Sequence, residues 1–137
     1  MPSPATPSPD TLLSRFIDES SRLKRDSGTG GDRTVWKTFQ PDRTRNETSV
    51  YDVDNMTDSE LWTLGDTEVG AARGRPIIGR AELTVHQASY DVLYVERDGP
   101  PRHAAIRGWP AHDGPDAWGR MRALAAELAA RATVIRR

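Results

Sequence analysis

The 137-residue chain contains no cysteine. Disulfides, thiolate metal sites and cysteine nucleophiles are therefore excluded, and nothing in the composition asks for an oxidising compartment. Lysine is nearly missing, two residues against seventeen arginines, which in a chain so rich in Ala, Gly and Pro reflects a GC-rich genome more than phosphate recognition. Long apolar runs are missing too. The longest are short stretches such as Val92-Leu93-Tyr94-Val95, well under the roughly 20 residues of a membrane helix. The opening segment MPSPATPSPD has neither the basic start nor the apolar run of a secretory signal. The expected location is cytoplasmic, with no export and no membrane. An excess of one charge sign is absent as well, with 19 basic and 20 acidic side chains, so no global attraction to nucleic acid is expected. Large aliphatics are scarce: Leu, Ile, Val and Phe total 24 residues. In a highly charged chain that scarcity would warn of disorder, but the net charge is only −1, and four Trp, three Tyr and fifteen Ala add apolar surface. One small core with long polar loops fits this length.

Residues 1–10, with Pro2, Pro4, Pro7 and Pro9, read as a disordered proline-rich tail, and residues 11–137 as a single domain. Leu12, Leu13, Phe16, Ile17 and Leu23 suggest a short helix or an edge strand over residues 11–25, and the pattern does not decide between them. Asp26 to Arg33, with three glycines, reads as a mobile loop. Val35–Phe39 and Thr48–Val53 read as strands forming an antiparallel pair. Thr57 three residues before Glu60 makes a capping box and predicts a helix from Asp58 to Ala72. Further strands are expected at Ile77–Val85, Tyr90–Val95 and His103–Trp109. Pro115, with Trp118, Met121, Ala125, Leu128 and Ala132 at helical spacing, predicts a C-terminal helix, with Arg131, Arg136 and Arg137 near its negative end. The fold class is α+β: a small, mostly antiparallel sheet of about four to five strands, packed on one face by two helices, the C-terminal one longer.

Ser49-Val50-Tyr51, Glu60-Leu61-Trp62 with Gly65, Gly79-Arg80-Ala81-Glu82, and Pro101-Arg102-His103-Ala104-Ala105-Ile106 followed by Gly108-Trp109-Pro110 occur in order, closed by an Ala/Leu helix. In this the chain resembles a family of small uncharacterised bacterial proteins over roughly residues 35–131. The resemblance implies a shared compact domain and no catalytic residue. It also suggests an accessory role beside a larger enzyme in conflict or mobile-element biology.

His86, His103 and His112 are the only side chains that titrate near neutrality unaided. If their strands were neighbours, His86 and His103 could flank a phosphodiester while Arg80, Arg102 or Arg107 stabilised its charge, as in a metal-independent ribonuclease. No His-x-His or His-x-x-x-His pair occurs, so no metal site is expected. Asp52, Asp54, Asp58, Glu60, Asp66 and Glu68 form an acidic run without the glycine of a calcium loop, and suit either a solvated surface or a basic partner. Arg73, Arg75 and Arg80 form the opposite cluster, without the glycine spacing of a phosphate loop. Trp109 is either an aromatic anchor for a partner or, as the shortage of large aliphatics favours, a plug at the end of the core.

The expectation is a non-catalytic, cofactor-free interaction module that binds a protein partner through Arg73, Arg75, Arg80, Asp52, Asp54, Asp58 and Trp109. The alternative is a small phosphodiesterase, ribonuclease or nucleotide-binding protein using His86, His103 and Arg102.

Overall fold

The computed structural model describes residues 6–111 and 113–137; residues 1–5 and His112 lie outside the described residues. In chain order the strands are β1 Leu12–Ile17, β2 Leu23–Arg25, β3 Asp32–Thr34, β4 Thr48–Asp52, β5 Gly79–Thr84, β6 Tyr94–Arg97, β7 His103–Arg107 and β8 Thr133–Arg136. The helices are α1 Asp58–Gly65, which continues through a π turn at Asp66–Gly70 into α2 Ala71–Arg73, then α3 Val85–Ala88 and α4 Pro115–Arg131. Six strands form one antiparallel sheet in the order β6-β7-β4-β1-β5-β8, and β2-β3 is a separate ribbon. The α+β class holds, with a larger sheet than the four to five strands expected. No helix among the described residues is long and apolar enough to cross a membrane.

The helices cover opposite faces of the sheet, not one. Along β1, Leu13 and Ile17 belong to the larger core with α4, whereas Leu12 and Phe16 pack with Leu61, Trp62 and Leu64 of α1. Successive strand residues point to opposite faces, so the adjacent apolar pairs Leu12-Leu13 and Phe16-Ile17 of β1 reflect two covered faces. This settles the ambiguity of residues 11–25: β1 is a strand, and an interior one. On α4 the buried residues are Met121, Leu124, Ala125, Leu128 and Ala129, spaced as one helix face requires. They pack with Val50, Ala81, Leu83, Val95, Ala104 and Ile106 of the sheet, and full burial of each large side chain is worth about 1.5–3 kcal/mol.

The start of α1 follows the sequence closely. Thr57 Oγ1 accepts from the Glu60 amide at 3.2 Å and Glu60 Oε1 accepts from the Thr57 amide at 3.0 Å. Gly65 is where this helix meets the sheet: a Cβ there would stand 2.7 Å from Phe16 Cδ1, so the absence of a side chain permits the close approach.

Other local readings change. Val35–Phe39 is not a strand; Trp36–Thr38 is a 3₁₀ turn. Its two large aromatics, Trp36 and Phe39, are three residues apart and both pack inward, Trp36 edge-on to Trp118 at 5.8 Å, a period that a strand cannot satisfy. Residues 26–33 are partly ordered, since β3 pairs with β2 across the glycine turn. The strand expected at Tyr90 begins at Tyr94, because Leu93 and Tyr90 close a turn through a 3.0 Å backbone bond. Arg136 and Arg137 do not cap α4. The chain leaves the helix at Ala132 and β8 returns to pair with β5, as the β-branched run Thr133-Val134-Ile135 favours. Finally, Thr6–Asp10 does not hang free: Pro7 is buried, the Pro9 carbonyl accepts from the His86 amide at 2.9 Å, and the Ser8 carbonyl accepts from Thr11 at 3.0 Å.

Candidate functional site

α1 covers the β1 and β5 side of its face, and the rest of that face, on β4, β7 and β6, carries polar side chains. The reason lies in the ladder between β1 and β4, which extends only over Leu13↔Asp52 and Ser14↔Tyr51. Beyond these pairs the strands part, and the backbone there needs other donors. Arg15 supplies them: its Nε donates to the Thr38 carbonyl and its Nη1 to the Ser49 carbonyl, both at 2.9 Å. Burial, with Arg22 and Arg73 adding like charge, pulls the Arg15 pKa down to about 10.

A cleft of about 200 Å³ opens at this fork, lined by Arg15, Arg22, Tyr51, Glu68, Val69 and Arg73 among others. Tyr51 is on its wall, with ring centroids 5.8 Å from Phe16 and 5.4 Å from His103, the latter edge-on. Burial, reinforced by the Glu68 carboxylate, raises the Tyr51 pKa above its ordinary value. Next to it on β7, His103 Nδ1 lies 3.6 Å from Asp98 Oδ2, and Asp98 also takes Arg107 Nη2 at 3.3 Å. Arg107 reaches Glu47 at 3.2 Å and Glu96 at 3.4 Å. Burial opposes its charge, but these carboxylates outweigh that cost and raise its pKa.

The residues singled out in the sequence fall elsewhere. His103 on β7 and His86 on α3, beyond the end of β5, have β4 and β1 between their strands. No ring contact or hydrogen bond joins the two imidazoles, and Arg102 is turned to the Asp52 and Asp54 carbonyls at 3.3 Å. The two opposite charge clusters are largely spent inside the molecule. Arg73 Nε meets Asp18 at 2.8 Å, Arg75 meets Glu19 at 3.0 Å, and Arg80, 3% exposed, meets Asp58 at 2.8 Å. Asp52 takes Arg97 at 3.3 Å, and Asp54 Oδ1 accepts from the Leu12 amide at 2.9 Å. Trp109 is 4% exposed and donates its Nε1–H to the Ile106 carbonyl, so it plugs the core and presents no anchor at the surface. No group of three or more His, Asp or Glu among the described residues could hold a metal ion.

What the sequence reading missed is the edge of the sheet. Val92, 44% exposed, and Tyr94, 47% exposed, are the large hydrophobics left open among the described residues, and β6 is the outermost strand beside them. The Asp98 amide donates to His103, so the alternate positions 94, 96 and 98 face β7, and the N–H and C=O groups of Val95 and Arg97 are directed outward. Gly108 brings this patch together. Its φ is +93°, and a Cβ there would collide with the Val92 carbonyl oxygen and approach Tyr94 Cδ1 to 3.2 Å. A period-2 apolar pattern marks a strand but does not say whether it has a neighbour on both sides. Arg15 did leave a signal, a charged residue inside the run Leu12-Leu13-Ser14-Arg15-Phe16-Ile17.

Comparison with protein-family models, with curated proteins and with solved structures finds no match to this chain.

Proposed function

We propose that this chain is a non-catalytic interaction module that takes an extended segment of a protein partner as an added strand beside β6. The observation that carries this reading is the coincidence, on one edge, of outward backbone groups at Val95 and Arg97 with the exposed side chains of Val92 and Tyr94. Unpaired edge strands are templates for strand addition, and flanking apolar side chains supply the area and selectivity that backbone bonds alone lack. The opposite edge is less open, since Arg136 of β8 is held at 2.7 Å by Asp32 of the β2-β3 ribbon. In this reading the chain is an accessory protein of the bacterial cytoplasm, and its internally paired arginines and carboxylates serve the fold. The phosphodiesterase alternative draws no support from the separated His86 and His103.

The test is capture of the partner by the parent chain and by the Val92→Ser/Tyr94→Ser double variant, with amide hydrogen exchange read in the complex. Capture should fail for the double variant and survive Arg75→Glu, and the Val95 and Arg97 amides should become protected on binding. Capture that withstands the double variant and leaves these amides unprotected would refute the proposal.

A further inference from the structure

We propose that the cleft between β1, β4 and the π turn binds a small zwitterion of the α-amino acid class, its carboxylate on Arg15 and Arg22 and its ammonium on Glu68. The argument starts from unused hydrogen-bonding capacity. Arg15 spends Nε and Nη1 on the Thr38 and Ser49 carbonyls, and its Nη2 makes no hydrogen bond among the described residues. Arg22 Nε is buried without a hydrogen bond, and its ionic neighbour Glu19 lies 3.6 Å away. Tyr51 and the half-buried Glu68 line the same cleft, and among the described residues neither the Tyr51 hydroxyl nor the Glu68 carboxylate makes a hydrogen bond. Most buried polar atoms in a folded chain are paired; Arg22 Nε is one that is not, and with further unused donors and a carboxylate on the same cleft wall it marks a place where a ligand supplies the complement.

The sign of the unused groups selects the ligand. A guanidinium offers planar donors matched to a carboxylate, which accounts for Arg15 and Arg22. A phosphate dianion would satisfy those two but would face Glu68, a like charge. A lone cation would suit Glu68 but meet the arginines. Arg73, also on the wall, is already committed to Asp18 at 2.8 Å. A molecule carrying both charges a few bonds apart satisfies every unpaired group. The volume of about 200 Å³ is below the roughly 300–1,000 Å³ of sites for drug-sized molecules, and Phe16, Val69 and Ala72 give it an apolar wall suited to an aliphatic side chain.

This site is independent of strand addition at β6, and its test uses the free chain. Calorimetric titration with L-alanine, L-valine, L-leucine and L-glutamate is compared with titration by acetate, inorganic phosphate and methylammonium. An aliphatic amino acid should bind, and the single-charge compounds should bind at least about tenfold more weakly. Glu68→Gln and Arg22→Gln, each first shown by circular dichroism to be folded, should each weaken the amino acid by a similar factor; if Arg22→Gln does not fold, Glu68→Gln decides. The proposal is overturned if no amino acid binds the parent. It is equally overturned if acetate or phosphate binds as tightly as the amino acids, or if the folded Glu68→Gln chain binds them unchanged.

Discussion

The guanidinium carbon of Arg80 stands 4.5 Å over the indole ring of Trp62, and the same arginine is paired with Asp58 at 2.8 Å and Glu82 at 3.2 Å. This contact ties β5 to α1 across the smaller of the two cores, and Arg137, 5.2 Å from the same ring, ties the end of the chain to it. A residue that the sequence offered as part of an exposed basic cluster is thus a buried structural cation.

Removing that cation should therefore be costly. Arg80→Ala leaves Glu82 without its partner in a site where both side chains are mostly covered, and is expected to cost about 3 kcal/mol. Arg75→Ala, whose side chain is 53% exposed, should stay within about 0.5 kcal/mol of the parent. Urea unfolding of the two variants checks this, and equal losses would show that Arg80 carries no special role.

The α4 face makes a packing prediction. Leu128 is fully buried and Leu124 nearly so, and each replacement by Ala is expected to cost about 2–5 kcal/mol. Ala123, on the outer side of the same helix, should accept Ser with less than about 0.5 kcal/mol of change. Thermal melts of the three variants decide the helical phase.

Gly108→Ala combines a left-handed backbone with a collision at the Val92 carbonyl, and a cost of about 1–3 kcal/mol follows from backbone strain alone. The variant should also weaken partner capture, because Val92 and Tyr94 must shift. A Gly108→Ala chain as stable as the parent would show that the turn can relax freely.

Acid should loosen the C-terminal strand first. Hydrogen bonds from Arg136 and Arg137 hold Asp32 and Asp66 below their ordinary pKa of 3.8. A carboxylate with a depressed folded pKa contributes stability that is present above the unfolded value and is lost as pH falls through the folded one. Glu60 behaves likewise below 4.5, through its bond to the Thr57 amide. The protection of the β8 amides, expressed relative to the intrinsic exchange rate at each pH, should therefore fall as pH drops below about 4, and Asp32→Asn/Asp66→Asn should show the lower protection at neutral pH and little further acid response. Identical pH profiles for parent and double variant would argue against the clamp.

Deletion of residues 1–10 removes the buried Pro7 and the backbone bond from His86 to Pro9. A loss of about 1–2 kcal/mol is expected from one hydrogen bond and the apolar area. An unchanged melting curve would mean that the bond contributes nothing in solution.

Much of the local structure was legible in the residues themselves. The Thr57–Glu60 capping box, the Pro115 start of α4, the strands at β4, β5 and β7 and the α+β class depend on interactions within a few residues, and short-range chemistry determines them. For Trp109 the sequence leaves a partner anchor and a core plug open and counts it among the partner-binding residues; burial decides for the plug, which the shortage of large aliphatics favours. The β8 pairing, the inward packing of the 3₁₀ turn at Trp36 against Trp118 and the interior place of β1 did not follow, because each depends on a neighbour distant in sequence; the β2-β3 hairpin is local, but its short polar strands carry no apolar alternation to mark them. The same holds for the candidate sites. Whether Arg80 is exposed depends on Trp62 lying above it; whether Val92 and Tyr94 are covered depends on which strand is outermost. The fork that opens the cleft exists because β1 and β4 pair over two residues and then part. Residue types and spacing determine which groups can pair locally, but which of them remain unpaired is decided by packing among distant segments, and unpaired groups are what a partner or ligand can recognise.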